Sequence, residues 1–268
     1  MKLQANRIYD PTFGRDARAA AVVCEDRYTV RFAATEDEID EVLRLRFEVF
    51  NLELNEGFEA SFINERDEDR FDRTCFHLIV IDNATDKIVG TYRIRTMEMA
   101  GSAFGFYSAD EFTIEKFPYE VLAESVELGR ACIAREHRNS RVLFLLWKGV
   151  ANFLTATRKR YLFGCCSLSS QDFTEGVKAM RQLRREGCYH PELSVDAREE
   201  FRGLPSDQVS EDDGSDIKIP KLFATYLRIG AMVCSEPVID RSFKTIDFLV
   251  IVDTKNLPDR YTQMFFGT

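Results

Sequence analysis

Residues 124–141 read ESVELGRACIAREHRNSR. Glu127 and Arg130 stand three apart at the head of a short apolar run. A polar, basic turn of Arg138, Asn139, Ser140 and Arg141 follows, and then a long apolar stretch. A carboxylate among apolar neighbours ionises less readily than one in water, which brings it closer to working pH as a proton acceptor. Arginines at the head of a helix suit an anion such as phosphate, because the helix dipole favours negative charge there. Both features also have plain structural readings. Glu127 could pair with Arg130, Arg46 or Arg93, and Ser140 could cap a helix beside solvated arginines. Residues three apart on a strand face opposite sides, so a Glu127–Arg130 contact needs a bulge, which Gly129 is placed to allow.

The elements that must position these residues follow from periodicity. YTVRFA at 28–33 alternates as a strand, and Thr35 with Glu38 forms a capping box for a helix to about Phe50. Residues 51–73 show no clear period and read as a long loop with short helical pieces, a length usually tied to function. CFHLIVID and KIVGTYRIRTM, separated by NATD, form a hairpin. A short helix is expected at 108–117 and a strand at 124–133. Ser140 would cap an amphipathic helix over 141–160, with Leu143, Leu146, Trp147, Val150 and Leu154 on its apolar face. YLFGCCSL is a buried strand. SSQDFTEGVKAMRQLRREG is a helix capped by Ser170 and stopped by Gly187. After an acidic, turn-rich insertion at about 189–217 come a helix from Pro220, strands in AMVCSEPVID and KTIDFLVIVD, and a last helix in LPDRYTQMFF. The order describes one mixed α/β domain (α+β, mixed sheet) over 28–268, preceded by an extension at 1–27. It does not alternate as a doubly wound sheet would.

Composition narrows the function. The net charge of −9 disfavours nucleic acid as a partner. The local distribution differs: from His137 to Gln171 there are basic residues and no acidic ones, which suggests a specific acidic partner or a phosphate, or else a solvated helix face. No apolar segment reaches the roughly 20 residues of a membrane helix, and the N-terminus has no continuous apolar signal region, so a cytoplasmic location is expected. Seven scattered cysteines without a CxxC pair, and three histidines, give little for disulfides or a metal site, and no bound cofactor is expected. The 22 phenylalanines suit either an apolar ligand or ordinary core filling.

This order, with the strand–helix–strand unit at 124–168, resembles the GNAT-type N-acyltransferase superfamily. Arg46 with Phe50 (RxxVF), Asp69 with Asp72 (DRFD), Arg93 in GTYRI, and Glu127 with Arg130 (ELGR) fall in the order seen in acyl-homoserine-lactone synthases, bacterial N-acyl amino acid synthases and ornithine-lipid N-acyltransferases. The segments FGCCSLS and YLRIGAMVCSEPVIDRSFKTIDFLVIVDTKNLPDRY are more similar to the amino-acid and lipid branch. The Trp that follows RxxVF in the lactone synthases is absent, which speaks against S-adenosylmethionine as acceptor. EHRNSR replaces the glycine-rich coenzyme A loop.

The resemblance implies a GNAT-like fold with splayed central strands and helices on both faces. It implies transfer of a long fatty acyl group to the α-amine of an amino acid, with acyl-phosphopantetheine on acyl carrier protein, or acyl-CoA, as donor. Glu127, with Arg130, would accept the amine's proton, directly or through water. A backbone N–H of Ala131 or Cys132 would stabilise the oxyanion. Arg46, Phe50, Asp69, Asp72 and Arg93 would hold the acceptor or clamp the loop to the sheet. Arg138, Asn139, Ser140 and Arg141 would meet the donor phosphate. Phe104, Phe106, Leu146, Trp147 and Phe163 are candidate linings of an acyl tunnel, or plain core. Release of such a product implies transient membrane contact. The alternatives are acylation of a small amine from coenzyme A, lactone synthesis, and an inactive carrier-protein- or lipid-binding module.

Overall fold

The computed structural model describes residues 15–203 and 215–267. Its elements are α1 (Arg15–Ala20), β1 (Val23–Cys24), β2 (Tyr28–Phe32), α2 (Glu36–Phe47), β3 (Phe76–Asp82), β4 (Lys87–Thr96), α3 (Met97–Ser102), α4 (Tyr119–Ala123), β5 (Ser125–Ile133), α5 (Ser140–Thr157), β6 (Tyr161–Leu168), α6 (Phe173–Arg185), α7 (Lys221–Arg228), β7 (Met232–Val233), β8 (Val238–Asp240), β9 (Thr245–Asp253) and α8 (Asp259–Phe266). The expected extension contributes α1 and the edge strand β1 of the same sheet; residues 1–14 and part of the acidic insertion, 204–214, lie outside the described residues. None of the described helices is long and apolar enough to cross a membrane.

The strands form one mixed sheet in the order β1-β2-β3-β4-β5-β6-β9-β7, with β8 also on β9. All pairings are antiparallel except β5 with β6. That exception shapes the molecule. β5 and β6 pair only at Ser125–Tyr161, Val126–Leu162 and Glu127–Phe163. Beyond these residues β5 stays with β4, β6 stays with β9, and the two central strands splay apart. Gly164 sits at the fork, where a Cβ would lie 2.2 Å from the Leu128 carbonyl oxygen, so no larger residue fits without moving backbone.

Alternation sorts side chains onto two faces. Leu78, Val80, Tyr92, Ile94 and Val126 pack against α5, and Cys166, Leu168, Phe248 and Val250 extend this face towards α6 and α7. The opposite face carries α2 with Ile79 and Ile81, and the Phe106–Phe117 segment with Phe163 and Leu249. The side-chain periods that predicted the elements are the ones the packing uses.

Some local expectations shift. Thr35 and Glu38 do form the capping box of α2. The helix then widens into a π-helical turn, Glu48–Glu53, that carries Phe50. Residues 108–117 are not one helix but two 3-10 turns, Tyr107–Asp110 and Ile114–Lys116. Asn139, not Ser140, caps α5, its side chain accepting from the N–H groups of Arg141 and Val142. α5 ends three residues early because Arg158 adopts a left-handed conformation, φ 56°. Asp172, not Ser170, caps α6.

Candidate active site

A cavity of about 360 Å³ occupies the fork. It passes through the sheet, because residues of both strand faces line it. On the α2 side its wall includes Phe50, Glu56, Arg93, Tyr107, Glu127, Arg130, Cys165 and Asp247. On the α5 side it includes Tyr92, Trp147, Val150, Leu154, Tyr226 and Phe265. One end is polar and charged; the other is apolar and roofed by α5, α7 and α8.

The bulge that frames the slot lies on β5. Thr91 opposes Cys132 and Arg93 opposes Gly129, so Arg130 and Ala131 together oppose Tyr92. Arg130, not Gly129, takes the left-handed conformation, at φ 49°. A non-glycine residue held there is strained, and the Arg130 guanidinium is secured by its surroundings. It stacks on Phe243 at 4.3 Å, Tyr107 at 4.8 Å and Phe58 at 5.4 Å, with Asp67 at 3.3 Å and Asp69 at 3.4 Å. Arg130 does not pair with Glu127 within salt-bridge distance. Ala131 is left at the bulge and lines the cavity. Cys132 returns to register, its side chain buried in the core beneath α2 and its thiol pushed up to about 12 by burial.

Glu127 is buried and lines the cavity. Its Oε1 accepts from the Ser108 N–H at 2.8 Å and the Ser108 hydroxyl at 2.7 Å; Oε2 accepts from the Tyr107 N–H at 2.8 Å. Three of about four acceptor positions of the carboxylate are thus used, and Oε2 keeps one. Burial raises the Glu127 pKa, and the Ser108 and Tyr107 donors pull it part of the way back.

Arg46, Asp69, Asp72 and Arg93 meet as expected, joined by Asp67, which sequence reasoning passed over. Arg46 donates to Asp67 at 2.7 Å and to Asp72 at 2.6 and 3.2 Å; Arg93 donates to Asp69 at 2.7 Å and Asp72 at 3.0 Å. Burial works against these charges, but Arg46 and Arg93 hold the Asp72 carboxyl below the usual range, and Arg93 and Arg130 do so for Asp69. Arg46, Asp67 and Asp72 are closed in on one another, 0–4% exposed, and clamp the 67–72 loop to α2. Arg93 and Arg130 are the members that line the cavity. Phe50 lines it too, packed edge-on against Phe243.

The basic turn stands apart from the cavity wall. Arg138 pairs with Glu53 at 2.8 Å and Arg141 with Glu25, both arginines about half exposed. Of the five expected tunnel residues, Trp147 and Phe163 line the cavity. Leu146, on α5, is buried in the core between that helix and the sheet, and Phe106 in the opposite core against Phe163. Phe104 is 55% exposed, on a left-handed turn at φ 62° where it packs edge-on against Phe71, and lines no part of the tunnel.

The sequence reading missed a second acidic group, on the far bank of the slot. Glu111, Cys165 and Asp247 place their oxygen and sulfur atoms within 4.8 Å of one another, with Cys165 Sγ 3.7 Å from Glu111 Oε2. Burial, then the charge of Asp240, pushes Asp247 up to about 6. Burial, then Asp247 and Asp240, holds Glu111 well above the carboxylate range. The same burial and the neighbouring acids keep the Cys165 thiol protonated. The signal was present: Asp247 is an acid set between apolar residues inside the strand TIDFLVIVD.

Comparison with known proteins agrees with this architecture. A family model described as an acetyltransferase (GNAT) domain matches residues 45–148. The chain is 34% identical over 254 residues to an L-ornithine N(alpha)-acyltransferase of Brucella abortus (strain 2308), covering 88% of each. It is 31% identical over 248 residues to one of Agrobacterium fabrum (strain C58 / ATCC 33970), covering 88% of this chain and 84% of that relative. FeeM, an N-acyl amino acid synthase from uncultured soil microbes, shares the fold at TM-score 0.51 and 10% identity, over 86% of this chain and 94% of that one. The chain therefore belongs to the family of the L-ornithine N(alpha)-acyltransferases and is an N-acyltransferase built on the GNAT fold.

Proposed function

We propose that this enzyme moves a long-chain acyl group from acyl carrier protein to the α-amine of ornithine or a close relative, giving an N-acyl amino acid for lipid synthesis. The carrying observation is the slot itself: the fork between β5 and β6 joins a charged compartment to an apolar one through the sheet. A thioester threaded there puts its carbonyl at the fork and its chain among Trp147, Val150, Leu154 and Phe265.

The α-amine is mostly protonated near neutral pH and must lose that proton to attack. Glu127 Oε2 retains an acceptor position, and its raised pKa suits the task. The amine nitrogen bonds to the thioester carbon, the carbonyl becomes an oxyanion beside the Ala131 N–H, and collapse breaks the C–S bond, the second proton of the nitrogen passing to the departing pantetheine thiolate. One such N–H donor contributes roughly 3 kcal/mol. Arg130 and Arg93 border the acceptor end and suit the amino acid's carboxylate. The reaction is a direct transfer through a ternary complex.

The donor assignment rests on the turn before α5. Asn139 occupies two helix N-terminal N–H groups that a pyrophosphate would need, so the turn offers guanidinium groups instead. Arg138 and Arg141, half exposed, can exchange Glu53 and Glu25 for the acidic surface and single phosphate of a carrier protein. Membrane contact for product release and a cytoplasmic setting belong to the same reading.

The test is mass spectrometry of reactions containing purified enzyme, ornithine, and either acyl carrier protein or coenzyme A loaded with the same acyl group. N-acylornithine formed at higher kcat/KM from the carrier protein supports the proposal; a preference for acyl-CoA overturns the donor, and no N-acyl product with either overturns the reaction. Glu127→Gln should lower kcat by about 100-fold. Undiminished turnover would remove Glu127 from the mechanism.

A further inference from the structure

The two acidic groups that flank the slot differ in one respect. Asp67, Asp69 and Asp72 are neutralised by three arginines. Glu56, Glu111, Asp240 and Asp247, all buried, have no ion-pair partner among the described residues. Four carboxyls withdrawn from water without a counter-ion are costly, and such groups persist where a cation comes to them.

A second, independent observation shows where. Asp247 is 4% exposed and lines the cavity, yet its Oδ1 has no hydrogen-bond partner. Glu56, at the same wall, is hydrogen-bonded by the Ser169 hydroxyl. The group is also at a fitting distance from the reaction centre. Glu127 lies opposite Phe163 on β6. Cys165, whose thiol lies against the Asp247 carboxylate, is one side-chain repeat further along that strand, about 7 Å. A three-methylene side chain bridges such a span.

We propose that Asp247, with Glu56 and Glu111 around it, forms the subsite for a distal ammonium group on the acceptor, and that this subsite selects α-amino acids with a short cationic side chain. The inference rests on the amino-acid acylation reading above. With the α-amine at Glu127 and the carboxylate towards Arg130, the second amine points along β6 into the carboxyl group cluster. There it completes the Asp247 hydrogen bonding. Held as an ammonium ion, it is also kept from competing as a nucleophile. A divalent metal fits less well, because it would need Cys165 as a thiolate where the neighbouring acids favour the thiol.

The experiment compares ornithine with 2-aminopentanoate, which has the same carbon chain without the terminal amine, in wild type and Asp247→Asn. Wild type should prefer ornithine by about 30-fold or more in kcat/KM, the scale of one buried charge pair. In Asp247→Asn the ratio should collapse towards parity through KM for ornithine, with circular dichroism confirming the fold. A variant that discriminates as wild type does, or a wild type without preference, overturns the subsite. So does a preference that a chelator abolishes and added zinc restores, which would assign the cluster to a metal. Calorimetric titration of both amino acids separates the two readings. Tighter binding of ornithine than of 2-aminopentanoate, lost in Asp247→Asn, supports the subsite even if no product forms, in which case only the transfer reading falls.

Discussion

Replacing Asp247 by Asn should make the empty enzyme more stable, and only above mildly acidic pH. Asp247 ionises at about 6 in the fold against 3.8 for a free aspartate, because burial removes its charge from water and Asp240 adds like charge. An acid with a raised folded pKa holds its proton more tightly folded than unfolded. Its penalty is therefore absent below about pH 3.8, grows as the pH rises, and is complete above about pH 6. A gap of about two pH units corresponds to roughly 3 kcal/mol. The Asn side chain keeps the shape and removes that term. Relief of Glu111 and Glu56, both pushed up in part by the Asp247 charge, acts in the same direction. At about 2–4 °C per kcal/mol, Tm at pH 8 should rise by about 6–12 °C. At pH 4.5, where Asp247 is mostly protonated in the folded wild type, the gain should fall to about a third of that or less. Calorimetric or fluorescence melts at the two pH values test this. A variant equal to wild type at pH 8, or stabilised equally at both, would refute the claim that an uncompensated charge is buried at Asp247.

Other perturbations address the clamp and the fork. Asp72→Asn leaves Arg46, Arg93 and Arg130 facing two aspartates. Breaking a buried network in this way costs about 3–5 kcal/mol, so chemical denaturation should show the midpoint falling accordingly, and a loss below 1 kcal/mol would mean the cluster is not the clamp described. Gly164→Ala places a methyl group where the Leu128 carbonyl stands. Backbone on both sides must move, at a cost of about 1–3 kcal/mol, and KM for the acyl donor should rise as the slot deforms. Wild-type melting together with wild-type donor kinetics would show that the fork tolerates a Cβ and that its geometry is not set by Gly164.

How far the molecule was legible in its sequence depended on the range of the interaction. Local signals carried well: the Thr35–Glu38 box, the β3–β4 hairpin and the apolar alternation of β6 and β9 depend on neighbours a few residues away. Where two candidate capping residues stood within two positions of each other, the choice turned on where the helix begins. Asn139 and Asp172 cap because they are the residues immediately before Ser140 and Phe173, where the helices begin, and their side chains accept from the N–H groups of the first turn. Glu127 and Arg130 were visible because charge beside a short apolar run is conspicuous, and Arg46 and Arg93 because they stand in the motifs RxxVF and GTYRI that carry the resemblance. Their partners were not: Asp67 looked like one acid among several in a polar loop, and Tyr107 and Ser108 gave no sign that their N–H groups would fill the Glu127 carboxylate.

Asp247 shows the limit most clearly. Its place in TIDFLVIVD marks it as anomalous, yet periodicity says only that it shares a face with Leu249 and Ile251. What gives it a meaning is pairing across chain distance. β9 lies on β6, β6 leaves β5 at Gly164, and the 3-10 turn at Tyr107–Asp110 delivers Glu111 to Cys165 and Asp247. A sequence displays a misplaced charge. It takes the topology to show that Asp247 and Glu56, from distant segments, share one wall of the slot with Glu111 packed behind Asp247.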